Sequence, residues 1–208
     1  MRHHLRSSLT ILFVFMLSGL SLLACQTTKD HRSDKKPDAG IQSAANASII
    51  PQTGQKISYA AGDDGNLRIG KPWPTPRFAD NGDETVTDRL TGLMWTKNAD
   101  QANGILDWEE ALSKSAACAE GGYTDWRLPN RKELESLIDL GSFHPALPPG
   151  HPFENVKANY YWSSTTTANL EDSAWILHLN IGMITMDDKG GTHYVWYVRN
   201  KAGWAKAP

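Results

Sequence analysis

The sequence has no excess of basic residues and no apolar run long enough to cross a membrane comfortably. Its 208 residues include 21 Lys and Arg against 23 Asp and Glu, so the formal net charge is −2. A basic surface for nucleic acid is therefore not expected. The longest apolar run, Leu9 to Leu23, has about 15 residues, whereas a spanning helix needs about 20. The length predicts one domain of about 100–150 residues plus extra segments.

Residue patterns that mark common metal and catalytic sites are also scarce. Four histidines lie in the C-terminal part of the chain, and none of them shows HxH or HxxxH spacing: His144, His151, His178 and His193. The acidic stretch at 80–88 departs from the EF-hand pattern at its third and sixth positions, so we interpret it as a turn. Ser163 lacks the G-x-S-x-G context of a hydrolase nucleophile. We therefore predict no metal, no cofactor and no catalytic residue.

Cysteine occurs only twice, and the position of the first cysteine is informative. A short basic region precedes the apolar run, which ends in Leu22-Leu23-Ala24-Cys25. This arrangement is typical of a signal peptide. Its end resembles a bacterial lipobox, in which the cysteine thiol receives a diacylglycerol and the cysteine becomes the mature N-terminus. We predict a signal peptide at 1–24 and lipidation of Cys25. The alternative is a cleaved secretory peptide whose cysteine is incidental.

Lipidation of Cys25 predicts that the protein is attached to a membrane. Several acyl chains on one residue hold a protein on a bilayer far more firmly than one chain does. Gln26 follows the cysteine, whereas Asp there is the usual inner-membrane retention signal of Gram-negative lipoproteins. The resemblance therefore implies an outer-membrane lipoprotein. Residues 25–61 have few large apolar side chains, so we predict a flexible tether before a domain at 62–208.

With Cys25 acylated, Cys118 has no partner for an intramolecular disulfide. The domain must then be stabilised by its core. We expect Cys118 to be packed in the interior; a reactive thiol or an intermolecular bridge is the alternative.

Local signals predict helices and antiparallel strands. Asn81-Gly82 suits a hairpin turn before the β-branched Thr85-Val86-Thr87, and a second strand is expected at 90–95. Asp107 is the predicted N-cap of a first helix that ends at Gly121-Gly122. Asn130 is the predicted N-cap of a second helix, with Glu133 completing a capping box. Later strands are expected at four places: 160–164, 174–179, 182–186 and 194–199. Asp187 to Gly191 is interpreted as the hairpin turn between the last two.

Separated motifs in this order resemble one family closely. The motifs are Thr-Gly-Leu-Met-Trp95, Gly-Gly-Tyr-Thr-Asp-Trp126-Arg127-Leu-Pro129-Asn130-x-x-Glu133-Leu134, Tyr-Trp162-Ser-Ser164, Ala-Trp175 and Tyr-Val198-Arg199. They resemble the Lcl C-terminal domain family over about residues 77–200. Asn200-Lys201 departs from the family ending, which predicts a frayed or shortened last strand.

The resemblance implies an α+β fold of the C-type-lectin-like kind, with two helices packed on small irregular antiparallel sheets. The Arg-Leu-Pro-Asn130 helix start is also similar to formylglycine-generating enzymes, but no cysteine follows Cys118, so that activity is not implied. The resemblance implies a lipid-anchored binding or adhesion module for polysaccharide or a protein partner. An envelope enzyme on this scaffold and a structural envelope lipoprotein are the alternatives.

The tryptophans and the loops divide into expected core and expected binding residues. We expect Trp95, Trp126, Trp162 and Trp175 to be core, because they lie inside the family motifs. We expect Trp196 and Trp204 to be better placed for binding. Loops carry recognition more often than the elements that they connect. The predicted ligand-binding residues are therefore His151, Asp187, Asp188, His193 and Trp196.

Overall fold

A computed structural model describes residues 49–201 of the chain. The predicted signal peptide, Cys25, most of the predicted tether and Trp204 lie outside this range. Within it, no helix is long and apolar enough to cross a bilayer. The described residues form three α-helices and seven β-strands: α1 (Asp64–Leu67), β1 (Phe78–Asp80), β2 (Thr85–Asp88), β3 (Leu93–Thr96), α2 (Trp108–Ala116), α3 (Arg131–Ser136), β4 (Tyr160–Thr167), β5 (Leu170–His178), β6 (Met183–Asp188) and β7 (Val198–Asn200).

The strands form two small antiparallel sheets, which confirms the predicted α+β class. One sheet has the order β1-β2-β3-β7 and the other has the order β4-β5-β6. The β1–β2 hairpin turns at Asn81-Gly82 as predicted, and Gly82 has a φ of 77°, a conformation that costs glycine little. β7 has only three residues and pairs with β3 through Val198 and Trp95.

The hairpin predicted between the last two strands is wrong. β6 ends at Asp188 as the edge of the three-stranded sheet, whereas β7 is the edge of the four-stranded sheet. Between them, His193 and Tyr194 make single bridges to Leu106 and Tyr161. The turn after Asp188 therefore carries the chain from one sheet to the other. Sequence spacing alone does not distinguish such a crossover from a hairpin.

α2 begins as predicted but ends early. The Asp107 side chain accepts a hydrogen bond from the Glu110 N–H, and the helix ends at Ala116 instead of continuing to Gly121. Ala111 and Ser115 are buried, whereas Ala116 and Ala119 are exposed. The remaining residues form a short 3-10 turn at Glu120–Gly122.

α3 has the predicted capping box. The Asn130 side chain accepts from the Glu133 N–H at 3.0 Å, and the Glu133 carboxylate accepts from the Asn130 N–H at 2.8 Å. The same carboxylate accepts two hydrogen bonds from the Arg127 guanidinium, at 2.6 and 2.7 Å. Pro129 fixes the loop to β4, since its carbonyl accepts from the Ser164 N–H at 2.8 Å. This motif therefore has a structural role, since it caps α3 and links the start of the helix to β4.

Two groups of buried side chains stabilise the domain. The first core includes Trp95, Leu134, Leu137, Tyr161 and Trp196. The second core contains two more of the predicted core tryptophans, Trp126 and Trp162. Its members are Met94, Leu106, Ala111, Trp126, Leu128, Trp162, Ala174, Ile176, Val195 and Tyr197. Trp95, Trp126 and Trp162 are buried as predicted.

Two tryptophan predictions are wrong. Trp196 is only 1% exposed, and its indole Nε1 donates to the Thr96 carbonyl at 2.8 Å. Its neighbours Val195 and Tyr197 belong to the second core, so this extended segment is buried on both faces and leaves no side for a ligand. Trp175 is only half-buried, and the Arg131 guanidinium lies 3.9 Å from its ring centroid.

The ordered structure begins before residue 62. The Gln52 N–H donates to the Lys71 carbonyl at 3.0 Å, and the Trp73 indole donates to the Gln52 carbonyl at 2.8 Å. The Thr53 carbonyl accepts from the Leu140 N–H at 2.9 Å, next to the end of α3. Residues 50–56, which we placed in the tether, therefore pack on the domain. The polar composition of this segment did not predict its packing, because its contacts are hydrogen bonds of the backbone and of polar side chains such as Gln52 and Thr53.

Candidate functional site

At one end of the three-stranded sheet, two aromatic side chains and a methionine lie in a row. Tyr160, His178 and Met183 lie side by side on β4, β5 and β6. The Tyr160 and His178 rings are stacked, with centroids 4.3 Å apart and 18° between their planes. All three side chains are partly exposed. Together the three side chains form a partly exposed and largely apolar patch at this end of the sheet.

His193 extends this surface beyond the edge of the row. Its ring centroid lies 5.5 Å from that of Tyr160 and 4.5 Å from that of Trp162. Its Nε2 atom is 2.9 Å from Oδ2 of Asp187. Burial lowers the pKa of His193, although the hydrogen bond to Asp187 acts in the opposite direction. The imidazole is therefore neutral near pH 7.

The pairing with Asp187 fixes the tautomer of this neutral imidazole. An ionised carboxylate can only accept hydrogen bonds, so Nε2 of His193 must carry the proton and Nδ1 must be an acceptor. The Asp187 side chain is 48% exposed, and its Oδ1 accepts from the Asp188 N–H at 2.9 Å. Together, Asp187 and His193 present hydrogen-bond acceptors and one negative charge beside the rings.

We call Tyr160, His178, Met183, Asp187 and His193 the aromatic–acidic surface. The turn that follows β6 and carries His193 is held in place by residues around the start of α2. The Leu106 and His193 backbones exchange two hydrogen bonds at 2.9 Å. The Lys189 ammonium lies 4.3 Å from the Trp108 ring centroid and donates to the Glu171 carbonyl at 2.6 Å. These contacts connect the turn to the start of α2 and to β5.

Of the five predicted ligand-binding residues, the structure brings together Asp187 and His193, with Asp188 adjacent. The Asp188 Oδ1 atom accepts from the Gly190 N–H at 2.8 Å, so part of this carboxylate is used within the turn. Trp196 is in the first core. His151 lies elsewhere: its ring is 5.7 Å from that of Phe153, and it lines a separate cavity.

The sequence interpretation missed Tyr160 and His178. They are separated by 18 positions and meet only because they are directly paired across β4 and β5. We treated both as ordinary strand residues. Alternation along each strand does place them on one face, but the register that aligns them could not be read from either strand alone.

The other acidic side chains and Cys118 do not form a metal-binding cluster among the described residues. No group of three or more His, Cys, Asp or Glu side chains suitable for a metal occurs within residues 49–201. Asp80, in the acidic turn, accepts from the Gly82 N–H and pairs with Lys97 at 3.2 Å. Cys118 packs at the margin of the second core, and burial raises the pKa of its thiol. A protonated thiol is a poor nucleophile.

Comparison with protein-family models identifies the family. No curated protein matches the chain. A model of the Lcl C-terminal domain family matches residues 84–199, a span from the start of β2 to β7. It contains the second core, the first core except Phe78, and the aromatic–acidic surface. Because this span is more than half of the sequence, the chain belongs to the Lcl C-terminal domain family.

Proposed function

We propose that this protein is a lipid-anchored binding module of the bacterial cell envelope, and that it recognises polysaccharide through the aromatic–acidic surface. The observation that carries the proposal is the Asp187–His193 pair beside the stacked Tyr160 and His178 rings. Sugars offer many hydroxyl donors and flat apolar ring faces. Acceptors beside exposed rings are complementary to that chemistry.

The charge of the aromatic–acidic surface favours some classes of sugar over others. Asp187 adds a negative charge and His193 is neutral, so neutral or cationic sugars suit the surface better than sulfated ones. The ammonium of Lys189, the nearby cation, is directed to Trp108 and the Glu171 carbonyl. An anionic glycan would therefore meet repulsion that Lys189, which is already engaged, does not offset.

Binding fits these residues better than catalysis does. The Ser163 hydroxyl is buried and donates to the Trp175 carbonyl at 2.7 Å, so it is not an available nucleophile. Asp187 is paired with Nε2 of His193, and within residues 49–201 no hydrogen bond or ion pair joins His193 to a second carboxylate. The C-type-lectin-like scaffold is part of the same proposal. It is supported by two capped helices packed against two small antiparallel sheets.

Replacing Asp187 with Ala should weaken binding of neutral glycans by about tenfold or more, since a charge-assisted hydrogen bond is lost and His193 loses its fixed tautomer. The same change should alter the melting temperature by about 4 °C or less, because the carboxylate is half exposed. A glycan array identifies the ligand, and calorimetric titration then compares the variants.

Two further variants make this measurement specific. Asp188→Ala should have a smaller effect, because that carboxylate already accepts from Gly190. Glu109→Ala removes an exposed carboxylate on α2 and should leave binding unchanged. Equal glycan affinity of wild type and Asp187→Ala would exclude the aromatic–acidic surface as the site.

The membrane anchor is tested independently of the ligand. Replacing Cys25 with Ala should release the folded protein from the outer-membrane fraction, because the acyl chains supply the membrane affinity. Fractionation of cells that express each form measures the release. A matched Cys118→Ala variant should stay in the membrane fraction. Retention of the Cys25→Ala protein after a high-salt wash would be incompatible with a lipid anchor.

A further inference from the structure

A cavity of about 440 Å³ lies where the N-terminal segment meets two proline-rich loops. Residues 52–56 form one wall, residues 72–78 form a second, and residues 148–151 close it. Its apolar lining comes from prolines and from the side chains of Trp73 and Phe78. The volume is within the range of small-molecule sites, about 300–1,000 Å³.

Arg77 lines this cavity and has one unused hydrogen-bonding nitrogen. The residue is only 5% exposed. Its Nε and Nη2 atoms donate to Asp88 at 3.2 and 3.0 Å, and Nη2 also donates to the Ser136 carbonyl. Nη1 is buried and has no partner among the described residues. Buried polar groups are seldom left unsatisfied, so Nη1 is expected to have a partner when the site is in use.

Other polar groups of the cavity favour an anion. Lys56 and Arg68 line it, and neither pairs with a carboxylate within residues 49–201. No Asp or Glu contributes to the lining, and the charge of Arg77 is balanced by Asp88. His151 also lines the cavity, and its Nδ1 atom is buried without a partner. The cavity therefore combines uncompensated positive charge with unused polar atoms.

Geometry selects one kind of anion. The Arg77 guanidinium lies 4.5 Å from the Trp73 ring centroid and 4.6 Å from the Phe78 ring centroid, so the two rings restrict approach to its faces. An approach to Nη1 along the guanidinium plane leaves both rings in place. A planar carboxylate fits such a slot and matches guanidinium geometry, whereas a tetrahedral sulfate or phosphate is bulkier.

We propose that this cavity is a second ligand site, which binds a small ring-bearing carboxylic acid through Nη1 of Arg77. Lys56 and Arg68 attract the charge, and Trp73 and the prolines cover the ring. The ring can belong to a sugar acid or to an aromatic acid. The site is separate from the aromatic–acidic surface and does not depend on its function.

Two matched pairs of probes test the proposal by calorimetric titration of the full chain in detergent solution. Galacturonate and galactose differ at a carboxylate, and so do benzoate and benzamide. At least one acid should bind about tenfold or more tightly than its neutral partner. The acid that binds more tightly shows whether the cavity prefers a sugar acid or an aromatic acid. Benzenesulfonate should bind more weakly than benzoate.

Substitutions then localise the binding. Lys56→Gln should weaken binding of the acid by about fivefold and leave the neutral probe unaffected. Lys114→Gln, an exposed change on α2, should alter neither, and Asp187→Ala should also alter neither. Arg77 itself is not replaced, because it is part of a buried ion pair. Equal binding of acids and neutral probes, no acid binding, or undiminished acid binding by Lys56→Gln would overturn the proposal.

Discussion

Replacing Asp88 with Asn is expected to lower the free energy of unfolding by about 3–5 kcal/mol, because it leaves the buried Arg77 charge without a counter-ion. The Asp88 side chain is fully buried and accepts four hydrogen bonds. Two come from Arg77, one from the Leu90 N–H at 2.9 Å and one from the Thr91 hydroxyl at 2.9 Å. Asn has the same shape but neither the charge nor the second acceptor oxygen.

Urea unfolding followed by tryptophan fluorescence measures this loss. Asp172→Asn is the matched control, since Asp172 is exposed and its side chain has no hydrogen bond in the described structure. The control should change stability little. If Asp88→Asn were as stable as the control, the Arg77–Asp88 pair would not hold β2 to the end of α3, and the ion pair would be dispensable.

Replacing Leu134 with Ala should cost about 2–5 kcal/mol of stability. Leu134 is the buried centre of α3, is 1% exposed and packs in the first core. Truncation leaves a cavity that Trp95 and Leu137 cannot fill without moving. Thermal melts and urea unfolding should both report the loss.

Asn130→Ala, on the same helix, should cost only about 1 kcal/mol, because it removes the helix cap and leaves the core intact. Comparison of the two variants separates packing from capping. A larger loss for Asn130→Ala than for Leu134→Ala would show that Asn130 makes a contact beyond the cap.

Local features of the fold were predictable because nearby residues determine them. Asn130 and Glu133 are three positions apart, and so are Asp107 and Glu110, so a cap can be recognised from sequence spacing. The Asn81-Gly82 turn was predicted for the same reason. The end of α2 was not, because solvent exposure of Ala116 and Ala119 depends on how the helix lies on the second core.

Features that depend on distant pairing were mispredicted or missed. Trp196 was assigned to a binding surface because one face of an alternating strand is usually exposed, but its segment runs between two cores. The Arg77–Asp88 pair and the partnership of Tyr160 with His178 require the register of separate strands. For the site, loop composition selected Asp187 and His193, which the structure places in contact, whereas it could not show that His151 lies in another cavity.

The position of Trp196 also constrains the order in which the domain can fold. Its indole bonds to Thr96, 100 positions earlier in the chain, and its ring packs 5.6 Å from that of Trp95. β1, β2 and β3 are joined by short connections and can pair early. Closing a loop of about 100 residues loses chain entropy before any contact compensates for it, so such contacts form slowly. The first core therefore stays open, with Trp95 uncovered, until the segment before β7 docks.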